Sequence, residues 1–214
     1  MKFTVTQQKA FDIIALNSTI KTNFYFTGGT ALSIFYLQHR ISEDLDFFTE
    51  SNISVDFTNP LMTLVAEKLR LSVRFTQIEN LLVYELTNSR TLQLKVDFAE
   101  YPYNRLEKGL MHKGVIVDSL LDIGANKIAA INNRNEIKDF VDLYFILKHY
   151  TLWDLLRAYE HKFGVELDLV LLASNLLQVD TFDYLPKMIK KVTLIELKQY
   201  FLELTNRLGK RIAE

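Results

Sequence analysis

The spacing of apolar residues divides this chain into a mixed α/β part and a helical part that follows it. Some stretches repeat apolar positions at helical spacing and others alternate them with polar ones, which distinguishes helices from strands. The first part is predicted to contain helices over 6–18 and 58–70, a short helix after Gly28-Gly29, and strands over 24–27, 44–48, 71–77, 81–87, 91–98 and 115–117. The second part is predicted to contain helices over about 119–132, 136–149, 151–163, 166–178 and 192–208.

Short turns separate the three strands between residues 71 and 98, so these strands are expected to form antiparallel hairpins. Pro60 is expected in the first turn of its helix, where its missing N–H removes no hydrogen bond. We assign the junction between two domains to residues 101–114. The prediction is an α/β domain over residues 1–118 and a helical domain over residues 119–214, which together make an α+β fold.

Composition narrows the classes of protein that this chain can belong to. Of 214 residues, 49% are hydrophobic and 24% charged, with few glycines and prolines, which indicates an ordered globular protein. The absence of cysteine excludes disulfides, zinc–thiolate sites and cysteine nucleophiles. No apolar run approaches the roughly 18 residues that span a bilayer, and the first residues do not resemble a signal peptide. We therefore expect a soluble cytoplasmic protein.

The net charge of −1 means that any contact with nucleic acid requires a local basic patch. Residues 187–211 contain seven basic side chains and only two acidic ones. This stretch is either a solvated helix face or a surface that contacts a phosphate backbone, and the sequence leaves both open.

The most informative stretch is TGGTALSIFYLQHRISEDLDFFT, residues 27–49. Gly28-Gly29 joins a predicted strand to a predicted helix. Such a pair lets the backbone approach a phosphate closely and leaves free N–H groups at the start of the helix. The alternative for a glycine pair is a plain tight turn.

Asp44 and Asp46 lie on one face of their predicted strand, because side chains alternate along a strand. Carboxylates held side by side repel each other unless a cation lies between them. Next to a glycine turn that opens a helix, the expected cation is Mg²⁺ bound to a nucleoside triphosphate. The alternative for such a pair is a solvated acidic surface.

Asp97 is the candidate for a third carboxylate, because it ends the polar face of the strand over 91–98. If this strand lies beside 44–48, three carboxylates on neighbouring strands are suited to holding two Mg²⁺ ions. The alternative is that Asp97 pairs with Lys95 or Arg105 at a surface. The opposite face is expected to carry Leu92, Leu94, Val96 and Phe98.

A glycine pair, a helix, a D-x-D strand and a later single aspartate together resemble the DNA polymerase β-like nucleotidyltransferase superfamily. Within it, GGTAL…RISEDLDFF is similar to the bacterial AbiEii-type family, the toxins of type IV toxin–antitoxin and phage abortive-infection systems. A second block, ANKIAAINNRNEIKDFVDLYFIL over 125–147, is similar to that family's K-x-x-A…R…K-D-x-x-D-L block. The resemblance implies a polymerase-β-like α+β fold whose helical domain completes the active site.

The resemblance also implies an activity. The enzyme would be a Mg²⁺-dependent nucleotidyltransferase with a two-metal site, moving a nucleoside monophosphate from an NTP to an acceptor hydroxyl. Some relatives modify tRNA 3′ ends, so tRNA is the implied acceptor, an antitoxin the implied partner and blocked translation the implied result. The implied site comprises Asp44, Asp46 and Asp97 at the metal, Gly28, Gly29 and Thr30 at the phosphates, Lys127 and Asp139 as residues needed for activity, and Arg40 and Ser42 at the phosphates or the loop.

Lys127 has apolar residues one turn away on both sides of its predicted helix. Such a lysine either extends its ammonium group to solvent or holds an anion, and the triphosphate is the expected anion. Asp139 and Asp142 lie one turn apart, and either is expected to orient Lys127, to contact the nucleotide or only to favour a helix N-terminus. Of the two, Asp142 is the less favoured.

For the other polar residues, the sequence pattern is a weaker indication of a functional role. Arg40 has the alternative of facing the carbonyl end of its own helix. Arg134 is expected either to pair with a carboxylate or to be solvated. The histidines lack metal-ligand spacing and are expected to be ordinary surface or half-buried residues; they are His39, His112, His149 and His161.

Two further functions remain open at this stage. The first is a protein that binds NTP on the same fold without turnover, which is favoured if Asp97 points away from Asp44 and Asp46. The second is a nucleotidyltransferase whose acceptor is a protein hydroxyl rather than RNA.

Overall fold

In the computed structural model of the protein, which describes residues 2–212 and side chains through Lys210, the chain divides into two compact units. The first unit is Met1–Tyr36 with Ser42–Ser119, and the second is Leu37–Ile41 with Leu120–Glu214. The predicted boundary after residue 118 lies one residue from the division after Ser119. The segment Leu37–Ile41 was placed in the first domain by the sequence prediction but belongs to the second unit.

The first unit is built on a mixed sheet of seven strands in the order β3-β4-β5-β2-β1-β7-β6. Strand β2 is parallel to β5 and β1 is parallel to β7, whereas the other neighbours are antiparallel, including the predicted hairpins β3-β4 and β4-β5. The strands are β1 (Tyr25–Thr27), β2 (Asp44–Thr49), β3 (Ser72–Ile78), β4 (Leu81–Asn88), β5 (Thr91–Glu100), β6 (Leu110–His112) and β7 (Val115–Val117). Strand β6 lies in the stretch assigned to the junction, which is therefore partly an edge of the sheet.

The helices of the first unit differ from the prediction in two places. The helix predicted over 6–18 ends at Ile14. A second helix, which was not predicted, begins at Ser18, because the Asn17 side chain accepts hydrogen bonds from the N–H groups of Thr19 and Ile20. Pro60 lies in the second turn of its helix, not the first, so the bond it would donate to the Asp56 carbonyl is absent. The helices are α1 (Val5–Ile14), α2 (Ser18–Asn23), α3 (Gly28–Ala31), which continues as a π-helical stretch over Leu32–Leu37, and α4 (Val55–Leu69).

The two faces of β2 separate the core from the candidate site. Phe47 is fully buried, and its ring lies 5.3 Å from that of Phe26, 5.5 Å from Phe98 and 5.7 Å from Phe11 on α1. Asp46 precedes Phe47 in the strand and therefore projects from the opposite face. Burying the aromatic face thus fixes where the carboxylates point.

A break in the ladder between β4 and β5 corrects the predicted alternation of β5. Thr87 pairs with Leu92 and Leu86 pairs with Leu94, so Gln93 is an extra residue opposite the shift. As a result Leu92 is 51% exposed, although Leu94 is buried as predicted.

The second unit is helical, as predicted. Helices α5 and α7 approach closely at Gly124, where an added Cβ would lie 2.7 Å from Leu155 Cδ2. The described part of the chain has no helix that is long and apolar enough to cross a membrane. The helices are α5 (Leu120–Asn133), α6 (Ile137–Ile146), α7 (Leu152–Phe163), α8 (Leu169–Leu177), a 3₁₀ turn (Gln178–Thr181) and α9 (Leu194–Ile212).

The segment Leu37–Ile41 is held in the second unit by backbone hydrogen bonds. The N–H of Ile41 donates to the Lys187 carbonyl at 2.8 Å, and the N–H of Ile189 donates to the His39 carbonyl at 2.8 Å. Arg40 and Met188 form an antiparallel bridge between them. This short pairing explains why five residues from the N-terminal half pack with the helical unit.

We predict that Phe47→Ala lowers the free energy of unfolding by about 3–5 kcal/mol, because it leaves a cavity among three buried rings. Phe75→Ala is the matched control, since Phe75 is 38% exposed on the edge strand β3. Denaturant unfolding of both variants measures the difference. An equal loss in the two would contradict the assignment of Phe47 to the core.

Candidate active site

The three predicted carboxylates lie on two adjacent parallel strands. In the register of β2 and β5, Asp46 is the partner of Asp97 and Asp44 is the partner of Lys95. Neighbouring strands are about 4.8 Å apart, and partners in register project from the same face of a sheet. The strand carrying Asp97 therefore lies beside the D-x-D strand, which was the condition for counting Asp97 as a third carboxylate.

Gly28 brings the glycine turn directly against Asp46. Its φ is +75°, a conformation that favours glycine, and a Cβ added there would lie 2.0 Å from Asp46 Oδ2. Any other residue would displace the carboxylate. The predicted proximity of the glycine pair and the D-x-D strand is therefore confirmed.

Two hydrogen bonds fix the path of the chain into β2. Thr30 is fully buried, and its hydroxyl donates to the Asp44 carbonyl at 2.5 Å. Gln7 on α1 is also buried and donates from Nε2 to the Ser42 carbonyl at 3.0 Å. The Thr30 hydroxyl thus supports the backbone of β2, whereas phosphate binding by Gly28, Gly29 and Thr30 stays a prediction.

Lys95 binds Asp97 at this face, which is the alternative that the sequence left open. Its Nζ donates to Asp97 Oδ2 at 2.6 Å, and the pair is half-buried rather than at a surface, since the Asp97 side chain is 9% exposed. Burial alone would lower the pKa of Lys95, but the hydrogen bond to Asp97 and the charges of Asp97, Asp44 and Asp46 outweigh it and raise the pKa. The charges of all three carboxylates therefore favour the ammonium form of Lys95.

The same arrangement bears on the predicted metal site. Within residues 2–212, no group of three or more His, Cys, Asp or Glu side chains is arranged to hold a metal ion. Asp97 is turned to Lys95, although its backbone is in register with Asp46. The assignment of Asp44, Asp46 and Asp97 as metal ligands stays a prediction.

Asp118 is a buried carboxylate that sequence analysis did not identify. It is fully buried after β7, and Thr27 donates to its Oδ2 at 2.8 Å from the residue that precedes the glycine turn. The Tyr36 hydroxyl donates to the Asp118 carbonyl at 2.8 Å. Burial, with a further contribution from the Asp118 charge, raises the pKa of Tyr25. Asp118 thus anchors both ends of the strand–turn–helix segment.

The second unit contains a buried ion network centred on Asp142. The Asp142 carboxylate is fully buried and accepts two bonds from Arg40, from Nε at 2.6 Å and from Nη2 at 2.8 Å. Lys127 Nζ lies 2.6 Å from Asp142 and 2.7 Å from Asp139. Arg134 binds the other side of Asp139, at 2.8 Å. Helices α5 and α6 and the segment Leu37–Ile41 are thereby joined by charge.

His39 completes the network and was wrongly expected to be an ordinary surface or half-buried residue. It is fully buried, with Nε2 at 2.6 Å from Asp142 Oδ1. Burial lowers the pKa of His39, and the Arg40 and Lys127 charges add to this while Asp142 opposes it. Because the Asp142 carboxylate only accepts, the neutral imidazole must carry its proton on Nε2. The chain offers no spacing signal for this contact, which joins residues 103 positions apart.

The charges of the network are strongly coupled. Burial alone would raise the pKa of Asp142, but Lys127 and Arg40 outweigh it and hold that pKa well below its usual range. Against the same burial effect, Lys127 and Arg134 lower the pKa of Asp139. Burial would lower the pKa of Lys127, yet Asp142 and Asp139 raise it. The network therefore favours the charged forms of Asp142, Asp139 and Lys127.

These contacts reverse the order in which the sequence analysis favoured Asp139 over Asp142. Asp142, the less favoured of the two aspartates, binds more partners than Asp139, and both contact Lys127. Arg40 binds Asp142 and also donates to the Ile41 carbonyl at 3.1 Å. The Lys127 ammonium meets two carboxylates, so its predicted contact with a triphosphate stays a prediction.

We predict that Gly28→Ala destabilises the protein more than Gly164→Ala. Both glycines have positive φ, +75° and +67°, but a Cβ at Gly164 meets nothing within 4 Å. The control therefore measures backbone strain alone, about 1 kcal/mol, and the excess at Gly28 measures the clash with Asp46. Equal free energies of unfolding would contradict the close approach.

We predict that Asp142→Asn lowers the free energy of unfolding by about 3–5 kcal/mol, because it leaves buried cations without their carboxylate. Arg74→Met is the control, since it breaks an exposed pair with Glu85 and should cost no more than about 1 kcal/mol.

The pH dependence of unfolding, compared between wild type and Asp142→Asn, provides a second check. The folded pKa of Asp142 lies below its unfolded value, so its contribution is complete above about pH 4 and is lost as the pH falls further. The difference between wild type and Asp142→Asn should therefore shrink below about pH 4. A constant difference down to pH 2 would contradict an ionised Asp142.

Comparison with known proteins agrees with this geometry. The chain matches the model of the family described as nucleotidyl transferase AbiEii toxin, type IV TA system, over residues 13–201. It is similar to an uncharacterized protein of Aquifex aeolicus (strain VF5), with 34% identity over 138 residues, which are 64% of this chain. The matched stretch spans 63% of that relative, less than two thirds of its length.

Two solved structures share the fold. The crystal structure of JHP933 from Helicobacter pylori is similar with a TM-score of 0.57 and 22% identity, covering 97% of this chain and 92% of that one. A candidate nucleotidyltransferase from H. pylori gives a TM-score of 0.57 and 21% identity, covering 96% and 94%. The predicted α+β nucleotidyltransferase fold is thus confirmed, and since the family model matches most of its length, the chain belongs to the AbiEii nucleotidyltransferase toxin family.

Proposed function

We propose that the protein is a Mg²⁺-dependent nucleotidyltransferase that moves a nucleoside monophosphate from an NTP to an acceptor hydroxyl. The observation that carries the proposal is the placement of Asp46, which is in register with Asp97 and in contact range of the Gly28 turn. Carboxylates and a glycine turn at the start of a helix are the groups that a metal-bound triphosphate requires. Family membership supports the same chemistry.

The donor atoms of the proposed site are of the kind that a divalent cation prefers. Asp44, Asp46 and Asp97 supply only oxygen donors, the kind that Mg²⁺ prefers, and adjacent strands carry them on one face. The raised pKa of Lys95 indicates a negative potential that attracts a cation. Bound there, a divalent cation would neutralise charge on the triphosphate and on the attacking oxygen.

The residues of the chain act mainly by positioning. The acceptor hydroxyl loses its proton to solvent and its oxygen forms a bond to the α-phosphorus, while the bond from that phosphorus to the bridging oxygen breaks and pyrophosphate leaves. Asp97 orients the acceptor hydroxyl in this scheme. In the same scheme, phosphate is held by the backbone N–H groups at the start of α3, those of Gly28, Gly29 and Thr30. The hydrogen bond of the Thr30 hydroxyl to the Asp44 carbonyl does not involve these N–H groups.

Lys127 and Asp139 contribute to this function as positioning residues. Their ion pair, together with Asp142, links α5, α6 and the segment Leu37–Ile41 that carries Arg40. That segment is followed closely by Ser42 and β2. The network thereby holds Arg40 and the segment Leu37–Ile41 in place within the second unit.

The biological role that we propose is that of a toxin in a type IV toxin–antitoxin or phage-defence system. The tRNA 3′ end is the proposed acceptor, and a cognate antitoxin is the proposed partner. Family membership supports the toxin role. Labelling of a protein instead of RNA in a cell lysate would support transfer to a protein hydroxyl.

One contact favours a second candidate function, NTP binding without turnover. The Lys95 ammonium occupies Asp97, which would leave two carboxylates for a cation if this pair never opened. Stabilisation by NTP and Mg²⁺ without release of pyrophosphate would favour the binding protein.

We predict that Asp46→Asn reduces transfer of label from α-³²P-NTP to tRNA by at least about 100-fold, because cation contacts stabilise the reaction by several kcal/mol. The assay uses each of the four NTPs with Mg²⁺ and total tRNA.

Asp12→Asn is the matched control, since Asp12 pairs with Lys113 in the same unit and is not part of the site. It should label at the wild-type rate, and both variants should retain the wild-type far-UV circular dichroism. Full activity of Asp46→Asn would show that the site is assigned wrongly.

A further inference from the structure

One cation shares the sheet face of the three carboxylates. Lys95 lies two residues before Asp97 on β5, so the two side chains project from the same face, and its register partner on β2 is Asp44. Its Nζ donates to Asp97 Oδ2 at 2.6 Å.

The environment of this ion pair distinguishes it from a surface salt bridge. The side chain of Lys95 is 30% exposed and that of Asp97 is 9% exposed, whereas both members of the Lys113–Asp12 pair are over 40% exposed. Interactions between charges are stronger where water is partly excluded. The Lys95 ammonium and the Asp97 carboxylate therefore attract each other more strongly than the members of an exposed pair do.

We propose that Lys95 is an internal counter-ion that competes with the divalent cation for Asp97 and thereby sets the cation affinity of the site. The inference rests on the proposed function, because it takes Asp44, Asp46 and Asp97 as the cation site.

The competition follows from charge alone. Without a bound cation, the carboxylates on β2 and β5 repel each other, and the Lys95 ammonium relieves this repulsion. A divalent cation at the same carboxylates repels the ammonium, so Nζ must leave Asp97. The flexible, partly exposed lysine stem permits this movement. Lys95 thus stabilises the cation-free protein and weakens cation binding.

Two uncharged variants test the competition. Lys95→Met removes the charge and the hydrogen bond, and Lys95→Gln removes the charge but keeps a donor for Asp97. Lys95→Arg keeps the charge. The matched control is Lys113→Met, which removes an ammonium group from the pair with Asp12 in the same unit.

The measurements are Mn²⁺ binding, followed by the loss of the free-ion electron paramagnetic resonance signal, and thermal unfolding in EDTA and in excess Mn²⁺. Lys95→Met and Lys95→Gln should bind Mn²⁺ about tenfold more tightly, because a repelling charge within a few ångströms is removed. Both should unfold at a lower temperature in EDTA and regain stability with Mn²⁺. Lys95→Arg and Lys113→Met should have the wild-type affinity.

Two outcomes would overturn the inference, and they are distinguishable. If wild type binds Mn²⁺ more tightly than Asp46→Asn but both uncharged variants have the wild-type or a weaker affinity, the counter-ion role is wrong and the cation site stands. If wild type and Asp46→Asn bind Mn²⁺ equally weakly, the cation site itself is wrong, and the inference fails with it. Neither result depends on enzyme activity.

Discussion

The alternation of β2 is the constraint on which the first unit depends. One face of this strand is apolar enough to be buried, and Phe47 contacts three other rings there. Because the side-chain period is two, the residues before and after each buried one must project from the other face. Asp44 and Asp46 therefore cannot leave the candidate site without exposing the core. The stability of the sheet and the position of the acidic residues have a single cause.

Acidic residues on adjacent strands repel each other, which costs free energy. In the first unit a nearby cation offsets part of this repulsion. Lys95 supplies a positive charge on the same face and binds Asp97. The second unit solves a similar problem differently, since Asp142 is fully buried among permanent cations. The carboxylates of the first unit are paired with a partly exposed, flexible lysine, which another cation can displace. The Asp142 carboxylate is enclosed by its cations, so its ion pairs are not open to such exchange.

The sequence predicted most elements and the neighbourhood of Gly28, Asp46 and Asp97, because strand alternation and the glycine pair are local signals. The break at Gln93 and the start of a new helix at Asn17 were missed, since pairing register and capping override periodicity. The importance of Asp142 relative to Asp139 could not be predicted from their spacing along the chain. Its partners come from positions about a hundred residues apart, and a single sequence carries no local signal for such contacts. Lys95 had been identified, but only as an alternative partner of Asp97.

The route of the chain through Leu37–Ile41 limits how the protein can be dissected. The chain leaves the first unit after Tyr36, donates five residues to the second, and re-enters the first at Ser42. A fragment that starts at Leu120 would therefore lack Arg40, the bidentate partner of Asp142, and would retain buried charge without its counterpart. No single cut yields two complete units. Truncation libraries and split-protein designs should cut in exposed loops and keep this segment joined to the helical half.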